Sequence, residues 1–293
     1  MTLYLEEAEL GRLDLDCGAG FVVSSFEIGW PQERAVVRNR ALSDGVQDDT
    51  LYVGPRVVTV ALRFDSSLMP TQELLDMVTP FLSPRRRPVL GYEVQKQRAV
   101  DCGPDVSDPE YVRTFTVRGV DMPLIVDQPK YTTVACQWVT SDAYALSVDE
   151  TCAVANLTGE GELGRSYDLT FDRDYPFSPP FGVTQFQVGG NAPTDWTGTV
   201  TAQIESPELL VNDTLVTFSG LTLTAGQTIN IDTKARTILR NDDPTDSVFG
   251  FSNFAEWTWD DLRFSAGQNT IRLQGDNAVG DPAFTVCWRD AWF

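Results

Sequence analysis

Histidine is absent from this 293-residue sequence, and that absence removes several kinds of active site. Ser-His-Asp and Cys-His nucleophile pairs, and the usual histidine-containing zinc sites, all need an imidazole. Histidine is also the side chain whose unperturbed pKa lies closest to neutrality. Any acid–base catalysis would therefore depend on carboxylates, Tyr, Lys or Cys.

Positive charge is scarce as well. The chain has 22 Lys and Arg residues against 42 Asp and Glu residues, a formal net charge of −20. Residues 1–150 have a net charge of −9 and residues 151–293 of −11, so neither half is a basic docking domain. Proteins that grip nucleic acid need clustered cations, which argues against DNA binding. An acidic surface would instead repel DNA, which is useful where DNA must pass without adhering.

Cysteine is sparse, and its spacing forms no tight metal-ligand cluster. The five residues are Cys17, Cys102, Cys136, Cys152 and Cys287. An odd, scattered set in a chain of this size predicts reduced, mostly buried thiols made in a cytoplasm. A long apolar run is also missing, because the 18-residue uncharged stretch TLVTFSGLTLTAGQTINI is half polar. The start, MTLYLEEAELG, is acidic and unlike a signal peptide, so we predict neither secretion nor a membrane span.

Strand patterns dominate what is present. Residues 20–28, 56–64, 111–118 and 131–139 combine β-branched and aromatic residues with alternating polarity. In RVVTVALRF (56–64) the face of Val58, Val60, Leu62 and Phe64 is predicted to face the core. One helix is predicted in PTQELLDMVTPFL (70–82), with Thr71 as the candidate N-cap, and residues 87–94 are predicted to form a further strand.

The second half of the chain is predicted to be an antiparallel sandwich. Residues 151–182 contain Gly and Pro clusters and are interpreted as a connecting segment between a domain at 1–150 and another at 183–293. From residue 183, about eight short strands follow at the spacing typical of a sandwich or jelly roll, with DDLRF (260–264) among them. The predicted fold is therefore mainly β, with two domains and one α-helix.

Three local patterns have competing interpretations. GEGELG (159–164) matches the dinucleotide fingerprint, but it lacks the strand before it and the helix after it, which favours a flexible turn. Acidic clusters at 242–246 and 256–261 could hold Ca²⁺, although solvated turns explain them more simply. Trp257 and Trp259 could form a platform on which a sugar ring stacks, or they could be packed in the core.

Several longer stretches together resemble the distal tail proteins of phages with long non-contractile tails. In the N-terminal half they are ERAVVRNRALSDGVQDDTLYVGPRVVTVALRF (33–64), then the predicted helix and the strand RPVLGYEV. In the C-terminal half they are SGLTLTAGQTINIDTKARTI, SAGQNTIRLQG and the closing AFTVCWRDAWF. The resemblance implies an N-terminal β-sandwich or split-barrel domain with one helix and a C-terminal galectin-like sandwich.

The resemblance also implies a function. Family members form a ring, commonly a homohexamer, at the distal end of the tail in the virion. The ring contacts the tail tube protein and a tail-tip hub, lysin or fibre protein, and DNA leaves through its channel without being bound. The implied role is structural, with no catalytic residues, cofactor, metal or membrane contact.

Mixed charged loops in the N-terminal domain suit polar contacts between ring subunits. The candidate interface residues are Arg34, Arg38, Arg40, Asp44, Arg56, Arg85, Arg86 and Arg87. The alternative function is a carbohydrate-binding tail module that contacts host glycan through Trp257 and Trp259. A third hypothesis, a hydrolase that uses a carboxylate pair, has no local sequence signature.

Overall fold

The structure of the chain is a computed structural model that describes residues 3–15, 20–31, 33–39, 46–65, 67, 70–94, 112–128, 130–157 and 183–293. It divides into two compact units. Unit 1 comprises Met1–Val148 with Phe293, and unit 2 comprises Asp149–Trp292. Among the described residues, no helix is both long enough and apolar enough to cross a bilayer.

Unit 1 is built from antiparallel strands around one short helix. Its elements are β1 (Leu3–Glu7), β2 (Gly11–Asp14), β3 (Phe21–Ile28), β4 (Glu33–Asn39), β5 (Val46–Val53), β6 (Val57–Phe64), α1 (Thr71–Val78), β7 (Val89–Glu93), β8 (Val112–Gly119), β9 (Leu124–Asp127), β10 (Thr132–Thr140) and β11 (Ala145–Ser147). The sheet order is β2-β1-β7-β8-β10-β6-β3, with β9 paired to β10 and β11 to β8. Strands β4 and β5 form a separate two-stranded sheet.

Alternating side chains build the core of unit 1, as the sequence pattern predicts. The predicted inner face of β6 is buried in full, from Val58 to Phe64. Strand β6 pairs with β10 along eight residues, and the Trp138 side chain on β10 is completely buried. The Trp138 indole N–H donates to the Phe81 carbonyl at 3.1 Å, so the buried ring also has a polar partner.

The helix forms where the sequence places it, but Thr71 is not its cap. Pro70 is the N-cap residue and Thr71 is the first helical residue, without a side-chain capping bond. The proline ring fixes φ of the cap residue near its observed −62°, and ψ of 138° completes the extended backbone of the cap position. The α-helix ends at Val78, and a 3₁₀ turn over Thr79–Leu82 accommodates Pro80.

Unit 2 is a second antiparallel sheet system. Its strands are β12 (Thr151–Asn156), β13 (Val183–Val188), β14 (Trp196–Val211), β15 (Thr214–Thr217), β16 (Thr222–Leu223), β17 (Thr228–Asp232), β18 (Thr237–Arg240), β19 (Gly267–Trp288) and β20 (Ala291–Trp292). The main order is β12-β19-β14-β17-β18. Strand β13 pairs with β19, and β15 and β16 pair with β14. Both units are antiparallel β structures, and the described part of the chain has one α-helix, so the mainly β prediction is confirmed.

Three boundaries in unit 2 differ from the prediction. Residues 151–156 form strand β12 and pair with β19, so the predicted connecting segment begins inside unit 2. The rest of it, 158–182, lies outside the described residues, and GEGELG with it. DDLRF (260–264) is mostly turns, because its hydrogen bonds between backbone groups are local apart from a bridge between Thr194 and Phe264. Strand β19 spans 22 residues along β14 and contains bulges, so it is much longer than the short strands that the sequence predicts.

The core of unit 2 is rich in aromatic rings. Trp196 stacks on Phe264 with centroids 5.4 Å apart, and Phe186 lies 4.5 Å from Trp288. Gly198 leaves the space that these rings need, because a Cβ there would lie 2.5 Å from the Trp196 ring. Close packing therefore favours glycine at this position, although glycine otherwise weakens the interior of a strand.

The prediction of reduced thiols is wrong for one pair of cysteines. Cys152 and Cys287 are directly opposite each other on β12 and β19 and form a disulfide bond. They are 135 residues apart in sequence, so spacing alone could not pair them. The prediction is confirmed for Cys136, which is buried and free, and burial raises the pKa of its thiol to about 12. Cys17 and Cys102 lie outside the described residues.

Candidate functional site

The candidate interface arginines whose side chains the structure describes differ in exposure, since Arg56 is buried and Arg85 and Arg87 are exposed. Arg34 and Arg38 lie on the backbone of β4, but their side chains are outside the described part, and so are Arg40 and Asp44. Arg56 is buried, with 7% of its surface exposed. It therefore offers almost no surface to a neighbouring subunit, and we correct its interpretation from interface to interior.

Arg56 is held by backbone and aromatic groups of unit 1. Its Nε donates to the Ala143 carbonyl at 2.7 Å, and its guanidinium lies 6.0 Å from the centroid of the Phe115 ring. Burial lowers the pKa of the Arg56 guanidinium. Its backbone N–H donates to the Thr140 hydroxyl at 2.9 Å, which joins the start of β6 to the end of β10. The residue thus stabilises the pairing of β6 with β10.

The run Arg85–Arg87 is divided between internal and exposed contacts. Arg86 forms ion pairs with Glu7 at 2.6 Å and Glu9 at 3.2 Å. The Arg87 guanidinium donates to the backbone carbonyls of Pro84 and Arg86. Arg85 and Arg87 remain exposed. A partly exposed ion pair contributes at most about 1 kcal/mol, so this run stabilises the fold only modestly and leaves charge at the surface.

An exposed apolar patch, which the sequence patterns did not single out, covers β9 and the residues just before it. The side chains of this edge patch, with their exposed fractions, are Val120 (47%), Met122 (91%), Leu124 (65%), Ile125 (40%) and Val126 (44%). Among the described strands, β9 pairs with β10 only, so its second edge is open to hydrogen bonding. Open apolar edge strands are unusual in monomeric proteins, because they add strands of other chains.

The predicted sugar platform is mostly internal. Trp257 is 6% exposed, and its indole N–H donates to the Asn253 side-chain oxygen at 3.1 Å. Trp259 is half-buried and meets Trp257 edge-on at 5.4 Å. Phe249 stacks on Trp259 at 5.8 Å and on Phe254 at 5.2 Å. These rings form one cluster on the core of unit 2, so Trp257 has no free face for a sugar.

The most exposed ring of that cluster is a phenylalanine. Phe254 is 54% exposed, and Phe251, nearby in sequence, is 43% exposed. Asn253 lies between them in sequence, but its amide is engaged: it donates to the Leu215 carbonyl and to Glu256 at 2.8 Å. The cluster therefore presents apolar rings with few uncommitted polar groups beside them, which is a weaker arrangement for a saccharide than the sequence predicts.

In each acidic cluster, a carboxylate accepts hydrogen bonds from a nearby residue of the same loop. The Asp243 carboxylate accepts from the Thr245 backbone N–H at 2.8 Å and from its hydroxyl at 2.7 Å. Asp261 accepts the same two bonds from Thr258. These hydrogen bonds lower the pKa of both carboxyl groups. The clusters behave as turn-stabilising side chains, as the simpler interpretation predicts.

A shallow open pocket of about 410 Å³ lies between β3, β6 and β10 in unit 1. Arg63 stacks on Tyr131 at its rim, 4.8 Å from the ring centroid. Asp65 also lines it, and hydrogen bonds from Ser67 lower the pKa of that carboxyl group. A carboxyl group that stays ionised is a poor proton donor, so the pocket gives no support to a carboxylate-pair hydrolase.

One cluster of metal-binding residue types exists among the described residues. Glu150, Cys152 and Cys287 bring their ligand atoms within 4.8 Å of one another. Metal binding by cysteine needs thiolates, and here the two sulfur atoms are bonded to each other. With the disulfide intact, the cluster lacks the ligands that a zinc-type site requires.

The closing sequence WRDAW has a structural explanation. The Asp290 carboxylate accepts from the Gly189 backbone N–H at 2.8 Å and from the Trp288 indole N–H at 3.1 Å. The Ala291 carbonyl accepts from the backbone N–H groups of Asn191 and Ala192. The last residues of unit 2 are thereby attached to the segment that follows β13.

With these features described, the chain can be compared with known proteins. No protein-family model matches the sequence, and no curated protein matches it at a significant level. A solved structure does: SPP1 Dit (gp 19.1), described as a paradigm of the hub adsorption apparatus in phages that infect Gram-positive bacteria. The match covers 100% of this chain and 99% of that chain, with a TM-score of 0.61 and 11% identity.

The two chains share a fold. The similarity extends through both units, since the whole of each chain is matched. Two phage P2 baseplate structures, solved in the activated conformation with Ca and with Sr, also align over 98% of this chain and 97% of theirs. Their TM-scores are 0.42 and 0.43 at 11% and 10% identity. The shared fold is established by the match to SPP1 Dit, and it agrees with the sequence resemblance.

Proposed function

We propose that the chain is a structural protein at the distal end of a phage tail, where it assembles into a homohexameric ring. The observation on which the proposal depends is the shared fold with SPP1 Dit over the full length of both chains. The sequence resemblance points in the same direction, from segments in both units. The proposed role needs no histidine, no cofactor and no metal.

The edge patch of β9 supports self-association. A ring of identical subunits uses a heterologous interface, in which two different surfaces of each subunit meet and close by rotation. An open strand edge with exposed apolar side chains offers backbone hydrogen bonds and apolar area to such a contact. Arg85 and Arg87 are exposed and remain candidates for polar contacts between subunits.

The solution mass of the purified full-length chain tests the ring. Sedimentation velocity should give a species of six times the 32.5 kDa chain mass, and negative-stain microscopy should show rings with a central hole. A chain that stays monomeric at high concentration in both measurements would contradict the proposal.

The acidic charge of the first half suits a channel through which DNA passes. Residues 1–150 have a net charge of −9, and repulsion would keep the DNA from adhering to the lumen. The other half is equally acidic, so only part of the charge needs to face the channel. A reconstruction of the ring would test this: acidic side chains should line the lumen, and a neutral or basic lumen would refute it.

The two faces of the ring would contact different tail proteins. One face would stack on the tail tube protein, and the other would hold a tail-tip hub, lysin or fibre protein. The chain itself would have no catalytic activity. Polysaccharide zymography tests that part: we expect no clearing at any pH, and clearing by the purified chain would contradict it.

The second candidate function is glycan binding by unit 2. The observation in its favour is the exposure of the Phe251 and Phe254 rings, the second of which stacks on Phe249, as the Trp259 ring also does. A glycan array probed with the full-length chain is the test, because β12 belongs to unit 2 and a fragment starting at residue 183 would lack it. Binding that Phe254→Ala abolishes would support this function, and an array without hits would remove it.

A further inference from the structure

The disulfide lies where the chain enters and leaves unit 2. Asp149 is the first residue of the unit, and Cys152 is the second residue of its first strand, β12. Cys287 is the last residue but one of β19, after which only five residues complete the unit. The bond therefore joins the two ends of unit 2, and β13 to β18 lie inside the 135-residue covalent loop that it closes.

Strand β12 is an edge strand with a short ladder. It pairs with β19 from Thr151, opposite Trp288, to Asn156, opposite Ala283. A pull on the chain at Asp149 would load the Thr151 pair first and then open the ladder one pair at a time, because each pair is exposed to the whole force in turn. End pairs of a strand open most readily. The disulfide occupies the second pair from that end.

Strand β19 distributes any load that reaches it. It pairs with β14 over most of its length and with β12 and β13 on its other edge. Its inner side chains Phe284 and Val286 are fully buried in the core. A covalent bond from β12 to this strand would transfer tension past the weak ladder to the best-connected strand of the unit.

We propose that Cys152–Cys287 is a covalent clamp that isolates unit 2 from mechanical tension, and that it closes after the chain leaves a reducing cytoplasm. Tension between Asp149 and the residues after Cys287 crosses the disulfide, so the 135-residue loop that holds β13 to β18 does not carry it. The clamp follows from the structure alone. Its timing rests on the proposed function, since a virion component is made inside the cell and acts outside it.

The closing reaction is a thiol–disulfide exchange with a low-molecular-weight disulfide such as oxidised glutathione. One cysteine thiolate attacks a glutathione sulfur, forms a mixed disulfide and releases one glutathione thiolate. The second cysteine thiolate then attacks the protein sulfur and releases the other. The two cysteines lose two electrons and two protons, and the glutathione disulfide gains them and becomes two glutathione thiols. The Cys152 residue is exposed and Cys287 half-buried, so the reagent can reach them.

Single-molecule pulling of the full-length chain, with handles at both ends, tests the clamp. The oxidised chain should unfold with a contour length shorter by about 450–490 Å than the chain reduced with a phosphine, because 135 residues stay locked and each extends by roughly 3.3–3.6 Å. Cys287→Ser should give the long extension under both conditions. Equal lengths for the oxidised and reduced wild-type chain would overturn the clamp, and this comparison needs no variant to fold.

Alkylation before lysis tests the timing. Cells that make the chain are treated with N-ethylmaleimide, and peptides containing Cys152 and Cys287 are analysed by mass spectrometry. Both should be alkylated in the quenched cells, and in a second sample lysed without N-ethylmaleimide they should be linked after incubation with oxidised glutathione. A link already present in the quenched cells would overturn the timing, and no link after oxidation would overturn the clamp. Both results are independent of ring assembly, so a failed clamp and a failed ring can be distinguished.

Discussion

The two units treat the edges of their sheets in opposite ways. In unit 1, β9 is an edge strand whose four residues are all exposed, three of them large and apolar. In unit 2, β12 is an edge strand as well, but a disulfide joins it to β19, and the Thr184 hydroxyl donates to its Val154 carbonyl at 2.9 Å. The unpaired backbone groups of an edge strand must be covered by other parts of the chain, blocked from pairing, or used to pair with another chain. Unit 2 secures its edge within the chain, whereas the edge of unit 1 is open among the described strands, and our proposal assigns it to assembly.

Breaking the disulfide should have the largest effect on this comparison. Cross-linking a loop longer than 100 residues restricts the unfolded chain, so reduction should lower the free energy of unfolding of unit 2 by about 3–5 kcal/mol. Urea unfolding followed by hydrogen-exchange mass spectrometry would resolve the two units. Unit 1 should keep its midpoint, and Cys287→Ser should no longer respond to the reductant. An unchanged midpoint for unit 2 on reduction would show that the bond does not secure it.

Truncating a buried ring should separate core from surface in the aromatic cluster. Trp257→Ala should destabilise unit 2 by about 3–4 kcal/mol, because it removes a buried indole and leaves a cavity. Phe254→Ala is the matched control and should change stability by less than about 0.5 kcal/mol, since that ring is half exposed. Thermal unfolding measures both. A larger loss for Phe254→Ala than for Trp257→Ala would reverse our assignment of the two rings.

A charge on β9 should weaken assembly without unfolding the chain. Leu124→Lys puts an ammonium group on the open edge, and we expect the association constant of the oligomer to fall at least about tenfold, since burying the charge is unfavourable. Leu215→Lys is the control, because Leu215 is an exposed leucine on a strand of unit 2. Sedimentation equilibrium compares the two. Equal association constants for Leu124→Lys and the wild-type chain would exclude β9 from the interface.

Acid should loosen a turn of unit 2, and this is the smallest effect. Hydrogen bonds from Thr245 hold the pKa of Asp243 below its usual value in the folded chain. The stabilisation is therefore complete above the unfolded pKa, about 3.9, and is lost as the pH falls through the lower folded pKa. Amide exchange at Thr245 should accelerate in that range, relative to its intrinsic pH dependence. At neutral pH, Asp243→Asn should weaken its protection, whereas Asp242→Asn, with the same charge change one residue away, should not.

The strands that the sequence predicts are those whose two faces differ. In β6 and β10, alternate residues are buried and the pattern in the sequence reports it. Strand β9 shows no alternation, because all of its residues are exposed, and its three apolar residues are too few to indicate a strand. DDLRF has the sequence pattern of a strand, but the segment is mostly turns. Its Leu262 and Phe264 side chains are buried although they do not lie on a regular strand.

The candidate site was predictable only in part, since it depends on contacts that are distant in sequence. Arg56 resembles the other loop arginines until Ala143, 87 residues away, accepts its Nε donor. Trp257 is distinguishable from a sugar-binding tryptophan only by its burial and by the bond to Asn253. The pairing of Cys152 with Cys287 depends on the register of β12 against β19, which no local pattern specifies.

The central claim is that this chain is a structural component of the tail tip. Immunogold electron microscopy tests it most directly, on tailed particles that contain the chain and with an antibody raised against it. The account predicts gold at the distal end of the tail in each labelled particle. Gold on the capsid or along the whole tail would contradict it.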